Sequence, residues 1–170
     1  MRCLRSLAGA TIGALLAALP ALADELPVPD GPVILTVSGE IAKANVGDTV
    51  QMDLEMLRAL GAREIETTTI WTEDMQSFVG VSLSTLMEAV GAAPVTIHAT
   101  AINDYAVDIP HEDWSSGGPM LAYYRNGGPM KVRDKGPLWV VYPFDEDPMY
   151  RSEVIYSRSI WQLDRIIVGD

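Results

Sequence analysis

The alternation of apolar and polar residues divides this chain into short β-strands separated by turn-forming residues. Runs rich in β-branched and aromatic residues predict strands at residues 33–37, 64–71, 78–81, 95–100, 105–109, 121–124, 138–142 and 160–168. The polar segment 45–50 is predicted to be the arm of a hairpin. Many strands with few helices are typical of an α+β domain whose sheets are mixed or antiparallel.

Two segments have apolar residues at helical spacing instead. Residues 54–60 follow Asp53, whose carboxylate is a good N-cap, and they end before Gly61. Residues 83–90 have the same pattern and end before Gly91. Both segments are therefore predicted to be short helices.

The segment 120–143 holds two strand-like runs around a turn and a group of cations. Asn126 and the two glycines after it predict the turn, because Asn and Gly tolerate positive φ angles. Lys131, Arg133 and Lys135 follow at every second position. If this piece is extended, all three cations lie on one side, where they would face an anionic or polar ligand.

The first 23 residues have the pattern of a secretory signal peptide. Arg2 and Arg5 precede an apolar run, and a small-residue cleavage motif ends at Ala23. A transmembrane helix is the alternative, but the run is short for a bilayer span of about 20 residues. We therefore expect a single domain at residues 24–170, exported to the periplasm and not inserted in the membrane.

Composition narrows the functions open to that domain. The leader holds two of the 12 basic residues and none of the 23 acidic ones, so the remainder carries a formal charge of −13. Such a charge disfavours binding to nucleic acid. The one cysteine is Cys3, so the expected mature protein has no disulfide, no thiolate nucleophile and no cysteine metal ligand.

Four segments, in order along the chain, resemble the molybdopterin-binding domain of the sulfite-oxidase fold. They read IWTEDMQSFVGVSLSTLMEAVG (residues 70–91), AINDYAVDIP (101–110), LAYYRNGGPMKVRDKGPLWVVYP (121–143) and SIW (159–161). The first is similar to that family's tryptophan loop, and the third to its most recognisable run. The resemblance implies the sulfite-oxidase-like fold and a pocket able to hold a pterin.

The chain departs from the enzymes of that family at the metal ligand. Their molybdenum-binding cysteine lies on the strand before the tryptophan loop, where this chain has threonine at residues 67–69. A threonine hydroxyl is a poor substitute for a soft thiolate. Moreover, Arg2 and Arg5 are separated, so the leader lacks the twin-arginine pair that exports loaded enzymes.

These departures are similar to those of a subgroup of small periplasmic proteins that have the fold without the cysteine. The resemblance implies that the chain binds a pterin without catalysis, and that no catalytic cofactor or metal is held. It also implies a partner, the periplasmic domain of a membrane-bound cyclic-di-GMP enzyme or sensor kinase. The alternatives are a molybdopterin-dependent oxidoreductase without the usual cysteine ligand, and a binding module that uses no small ligand.

A pterin needs an aromatic face for stacking and polar groups for its ring edge. Trp71, Trp161 and Tyr105 are the aromatic candidates, although each is equally compatible with a packed core residue. Trp114 and Trp139 are assigned structural roles. The polar candidates are Asn103, Asp104, Arg133, Lys135 and Arg158.

Several of these polar residues also have simpler interpretations. Asn103 and Asp104 are equally typical of a turn, and exposed cations commonly pair with nearby acids. Asp134 would support Arg133 or cap a turn. Residues 111–115 contain only half of an HExxH zinc motif and are predicted to be a loop, as are the acidic residues 145–147.

Overall fold

The computed structural model describes residues 26–169, in which the chain forms two five-stranded sheets and four short α-helices. The first sheet has the strand order β2-β1-β10-β5-β6. Its strands are Leu35–Gly39 (β1), Val50–Met52 (β2), Ile97–Ala101 (β5), Ala106–Ile109 (β6) and Leu163–Val168 (β10). The central pair β1 and β10 is parallel and the other pairs are antiparallel, so this sheet is mixed.

The second sheet is antiparallel, with β4 and β7 at its centre. Its strands are Arg63–Thr67 (β3), Gln76–Ser82 (β4), Met120–Arg125 (β7), Gly128–Pro129 (β8) and Trp139–Val141 (β9). The helices are Leu54–Ala59 (α1), Leu83–Val90 (α2), His111–Ser115 (α3) and Glu153–Arg158 (α4). Within residues 26–169, no helix combines the length and apolar character that crossing a bilayer requires.

Both predicted helices are confirmed, together with the residues that end them. Asp53 is the N-cap of α1, because its Oδ1 accepts a hydrogen bond from the Met56 amide at 2.9 Å. That bond, with one from the Gly31 amide, lowers the pKa of Asp53. Helix α2 ends at Gly91, whose φ of 66° is the left-handed conformation expected of a terminal glycine.

The predicted turn at Asn126 is confirmed, but the extended cationic strip after it is wrong. Asn126 and Gly127 both have positive φ angles and connect β7 to β8. Val132–Asp134 then forms a 3₁₀ helix, because the Lys131 carbonyl accepts hydrogen bonds from the amides of Asp134 and Gly136 at 2.8 Å each. The three cations therefore do not share one side of a strand.

The strand predicted at residues 64–71 ends at Thr67. The Asp145 carboxylate accepts a hydrogen bond from the Thr68 amide at 2.6 Å, which draws the chain out of the sheet. Thr69 Oγ1 then accepts one from the Trp71 amide at 3.1 Å. These side chains offer the backbone partners that compete with a neighbouring strand.

Other segments also differ from the predictions. The segment 45–50 is mostly a turn, because the Asn45 side chain bonds to both backbone groups of Gln51. Residues 111–115 form helix α3 rather than a loop. The carboxylates of Glu112 and Asp113 lie in its first turn, where negative charge stabilises the N-terminal end of a helix. The last strand begins at Leu163, since Gln162 has a φ of 56° that no strand accommodates.

Candidate functional site

Trp71 is the centre of an aromatic cluster at the end of the second sheet. Its ring lies 5.5 Å from that of Trp161, 5.8 Å from Tyr156, 5.9 Å from Trp139 and 6.2 Å from Phe144, centroid to centroid. All four contacts are edge-on, with interplanar angles between 62° and 83°. Such contacts fix the orientation of the indole.

A cleft of about 500 Å³ opens beside this cluster, which is a usual volume for a small-molecule site. We call it the aromatic cleft. It is lined by Ile70, Trp71, Ala101, Asn103, Tyr105, Tyr156, Ser157, Ser159, Ile160 and Trp161. The lining comes from the β3–β4 loop that carries Trp71 (residues 68–75, which we call the tryptophan loop), the β5–β6 turn and the segment from α4 to β10. Three segments distant in sequence therefore form one wall.

The Asp145 carboxylate holds the start of the tryptophan loop. It accepts hydrogen bonds from the Thr68 amide at 2.6 Å and the Thr68 hydroxyl at 3.0 Å, and it pairs with Arg151 at 2.5 Å. The Thr68 amide bond above all lowers the pKa of Asp145. Asp145 is thus a fixed anion whose partners set the position from which the chain proceeds to Trp71.

The other end of the loop is held by Gln76 and Asn126. The Gln76 amide nitrogen donates to the Glu73 carbonyl at 2.7 Å, and its oxygen accepts from Asn126 Nδ2 at 3.0 Å. Asn126 also exchanges hydrogen bonds with the backbone of Ser77. The β7–β8 turn therefore fixes the loop that carries Trp71.

A second cleft of about 360 Å³ shares Trp71 with the first. We call it the cationic cleft, and it is lined by Trp71, Thr72, Glu73, Gln76, Arg125, Arg133, Asp134 and Lys135. The Lys135 ammonium lies 4.6 Å from the Trp161 ring centroid and 5.8 Å from that of Trp139. This cation–π contact connects a residue of the cationic cleft, Lys135, to a residue of the aromatic cleft, Trp161.

The structure brings most of the predicted site residues together in these two clefts. Trp71, Asn103, Tyr105 and Trp161 line the aromatic cleft. Arg133 and Lys135 line the cationic cleft, and the Arg133 side chain is 78% exposed. Its Nε lies 3.6 Å from the carboxylate of Asp134, which was expected to support it.

Asp104 and Arg158 line neither of these two clefts. Asp104 has a φ of 64° in the β5–β6 turn and pairs with Arg165 at 2.5 Å. Arg158 forms an ion pair with Asp113 at 2.8 Å, and both side chains are largely shielded from solvent. Asp113 also accepts a hydrogen bond from the Tyr142 hydroxyl, whose pKa is raised by burial and by this carboxylate.

The structural assignments of the other two tryptophans agree with their burial. Trp114 is buried and donates its indole hydrogen to the Val95 carbonyl at 3.1 Å. Trp139 is fully buried and donates to the Ser159 carbonyl at 3.1 Å. Trp139 also supports the site indirectly, because its ring contacts both Trp71 and Trp161.

Sequence reasoning missed several residues of the two clefts. Tyr156 and Ser157 lie on α4, a helix that was not predicted although Ser152 is its N-cap. A serine followed by an acidic residue and a short apolar run was the available signal. Arg125 ends β7, and the register that carries it to the cationic cleft is set by pairing with β4.

No family model matches this sequence, and no curated protein matches it. Among solved structures, the chain is similar to the sulfane dehydrogenase SoxCD from Paracoccus pantotrophus, with a TM-score of 0.60 and 18% sequence identity. The match covers 80% of this chain and 38% of that chain. This likeness confirms the predicted α+β fold of the sulfite-oxidase type.

The residues at the expected metal position do not fit a molybdenum ion held by a thiolate. Thr67 is fully buried at the end of β3, and its hydroxyl accepts a hydrogen bond from the Asp145 amide at 3.2 Å. The Asp145 carboxylate, 3.4 Å from the Thr67 hydroxyl, is already bonded to Thr68 and Arg151. Residues 26–169 contain no cluster of three or more His, Cys, Asp or Glu side chains with the geometry of a metal site.

Proposed function

We propose that this chain is a periplasmic, non-catalytic pterin-binding protein. It acts as the ligand-sensing partner of a membrane signalling protein, such as a cyclic-di-GMP enzyme or a sensor kinase. The observation that carries the proposal is the aromatic cleft around Trp71 and Trp161, which lies beside a strand end with threonine in place of a thiolate. The cleft has the means to bind a flat ring, and the strand end has no soft ligand for a metal.

The aromatic cleft suits a flat heterocycle. Trp71 and Trp161 both line the cleft and are only half-buried, so their rings are accessible to a ligand that stacks on an aromatic face. Asn103 lines the same cleft and carries both an amide donor and an acceptor. An amide is the kind of group that pairs with the amide-and-amine edge of a pterin.

The rim of the cleft supports a protein partner that senses occupancy. Ile70 and Tyr105 line the cleft, yet their exposed fractions are 61% and 53%. Exposed apolar residues beside a ligand site are a usual part of an interface. A partner that contacts these residues would meet a different surface when the ligand is bound. Export is proposed from the predicted signal peptide, residues 1–23, which lies outside the described residues 26–169. The signalling partner is proposed from the family resemblance.

Thermal melting of the protein purified after export tests the proposal. A ligand that binds only the folded state, at a concentration of 100 times its dissociation constant, raises the free energy of unfolding by about 2.7 kcal/mol. We expect such a rise with at least one reduced pterin, and a smaller one for Trp161→Ala at the same concentration. If the folded protein shows no shift with any pterin, the proposal is wrong.

The second candidate is a molybdopterin-dependent oxidoreductase without a cysteine ligand. It is favoured by the structural similarity to the sulfane dehydrogenase SoxCD. Elemental analysis of the protein purified from its native compartment distinguishes the two functions. Stoichiometric molybdenum would favour the enzyme, and a pterin without molybdenum would favour the binding protein.

A further inference from the structure

Arg125 differs from the other arginines of residues 26–169 in its lack of a partner. It is half-buried at the end of β7 and lines the cationic cleft, and no hydrogen bond or ion pair joins its side chain to any residue in that part of the chain. Arg63 donates to backbone carbonyls. The remaining arginines each have a carboxylate partner within 4.0 Å, and they are Arg58, Arg133, Arg151, Arg158 and Arg165.

No acceptor among residues 26–169 bonds to the Arg125 guanidinium, so its N–H donors are available to a ligand that enters the cationic cleft. Guanidinium groups bind carboxylates and phosphates in a planar, two-bonded geometry, and hydrogen bonds between charged groups are stronger than neutral ones. The structure therefore indicates an anionic ligand at the cationic cleft.

The other charges of the cleft agree with this assignment. Arg133 and Lys135 add two positive charges, and Glu73 and Asp134 bring two negative ones. Asp134 forms an ion pair with Arg133. The Lys135 ammonium lies over the Trp161 ring and not beside a carboxylate. The cleft therefore has an excess of positive charge, although the whole chain has a formal charge of −11.

The two clefts lie next to each other. Trp71 lines both of them, and Lys135 lines the cationic cleft while its ammonium covers the ring of Trp161. A ring stacked in the aromatic cleft can therefore extend a side chain past Trp71 towards Arg125. We propose that the cationic cleft is a subsite for an anionic substituent, so that the preferred ligand is a pterin with a carboxylate or phosphate on its side chain.

This inference rests on the proposed function and names its ligand class. It is tested by tryptophan fluorescence titration with three compounds that share one ring: 6-hydroxymethylpterin, its phosphate ester and pterin-6-carboxylate. We expect one or both anionic compounds to bind on the order of tenfold more tightly than the neutral one. That preference should diminish at high salt, because the subsite is open to solvent.

Variants then assign the preference to the subsite. Arg125→Gln should reduce the difference in affinity between anionic and neutral pterins to about twofold or less. Lys43→Gln removes the same charge from a residue that lines neither cleft, and it should keep the full preference. If Arg125→Gln does not fold, Arg133→Gln is used instead, because the Arg133 side chain is exposed. This variant should lose part of the preference for anionic pterins.

The outcomes separate the subsite from the proposed function. Equal affinities of the wild type for all three pterins, or equal losses in Arg125→Gln, would overturn the subsite and leave pterin binding intact. If no pterin binds, the proposed function is wrong, and inorganic pyrophosphate then tests the subsite alone by calorimetry. Pyrophosphate binding that is lost in Arg125→Gln but kept in Lys43→Gln would support an anion site, and its absence would overturn it.

Discussion

Replacing Asp145 by asparagine should destabilise the fold and loosen the loop that carries Trp71. The wild-type carboxylate accepts from the Thr68 amide and hydroxyl and pairs with Arg151. The asparagine keeps one acceptor oxygen but directs an amino group at one of these donors. A hydrogen bond to a charged group contributes about 1.5–3 kcal/mol, so we expect the free energy of unfolding to fall by about 2 kcal/mol.

Urea unfolding at pH 7, followed by tryptophan fluorescence, measures this change. For a domain of this size, about 2 kcal/mol corresponds to a fall of about 4–8 °C in melting temperature. Glu146→Gln is the matched control, because it removes a carboxylate from the adjacent, exposed residue. The control should change stability by less than about 0.5 kcal/mol.

The pH dependence provides an independent test. Because the Thr68 amide lowers the pKa of Asp145 in the folded state, the folded protein keeps this carboxylate ionised at a pH where the unfolded chain has protonated it. Its contribution is complete above the unfolded pKa of about 3.9 and is lost as the pH falls through the folded pKa. The stability difference between wild type and Asp145→Asn should therefore be constant near neutral pH and shrink below about pH 4.

Two results would refute this reasoning. One is a loss in Asp145→Asn no larger than that of the Glu146→Gln control. The other is a difference between wild type and Asp145→Asn that stays the same from pH 7 to pH 3. Either would mean that the carboxylate is not what fixes Thr68 and the start of the tryptophan loop.

Three other substitutions give separable results. Trp161→Ala should weaken pterin binding on the order of tenfold in a fluorescence titration, since it removes a stacking face and the Lys135 contact. Gly80→Ala should lower the free energy of unfolding in urea by more than about 2 kcal/mol, because the added Cβ would lie 2.1 Å from the Leu121 carbonyl oxygen. Gly128→Ala is the control and should leave the stability unchanged, because its Cβ would have no atom within 4 Å. Arg158→Gln should lose about 2 kcal/mol of stability by leaving Asp113 unpaired, without a change in pterin affinity, because Arg158 lines neither cleft.

The elements predicted correctly are those whose boundaries are set by neighbouring residues. Helix α2 has apolar residues at helical spacing and a glycine directly after it, so local pattern was sufficient. The same is true of the Asp53 cap and the Asn126 turn. In each case, the residue that ends the element lies within a few positions of it.

The predictions are wrong where residues distant in sequence determine where an element ends or which cleft a side chain reaches. The strand that ends at Thr67 could not be placed from local pattern, because the carboxylate that draws Thr68 away is 77 residues further along the chain. Resemblance to a family indicated three aromatic residues of the aromatic cleft, Trp71, Tyr105 and Trp161. It did not indicate Arg125 or Tyr156, since each reaches its cleft through sheet register or a short helix.

The central claim is that the aromatic cleft binds a pterin, and titration of the exported protein with a reduced pterin tests it most directly. Calorimetry and tryptophan quenching should give one saturable site per chain, and the quenching should diminish in Trp161→Ala. Trp71, Trp139 and Trp161 form one cluster, so a ligand stacked there changes their fluorescence. A folded protein that shows neither heat of binding nor quenching with any pterin would contradict the account.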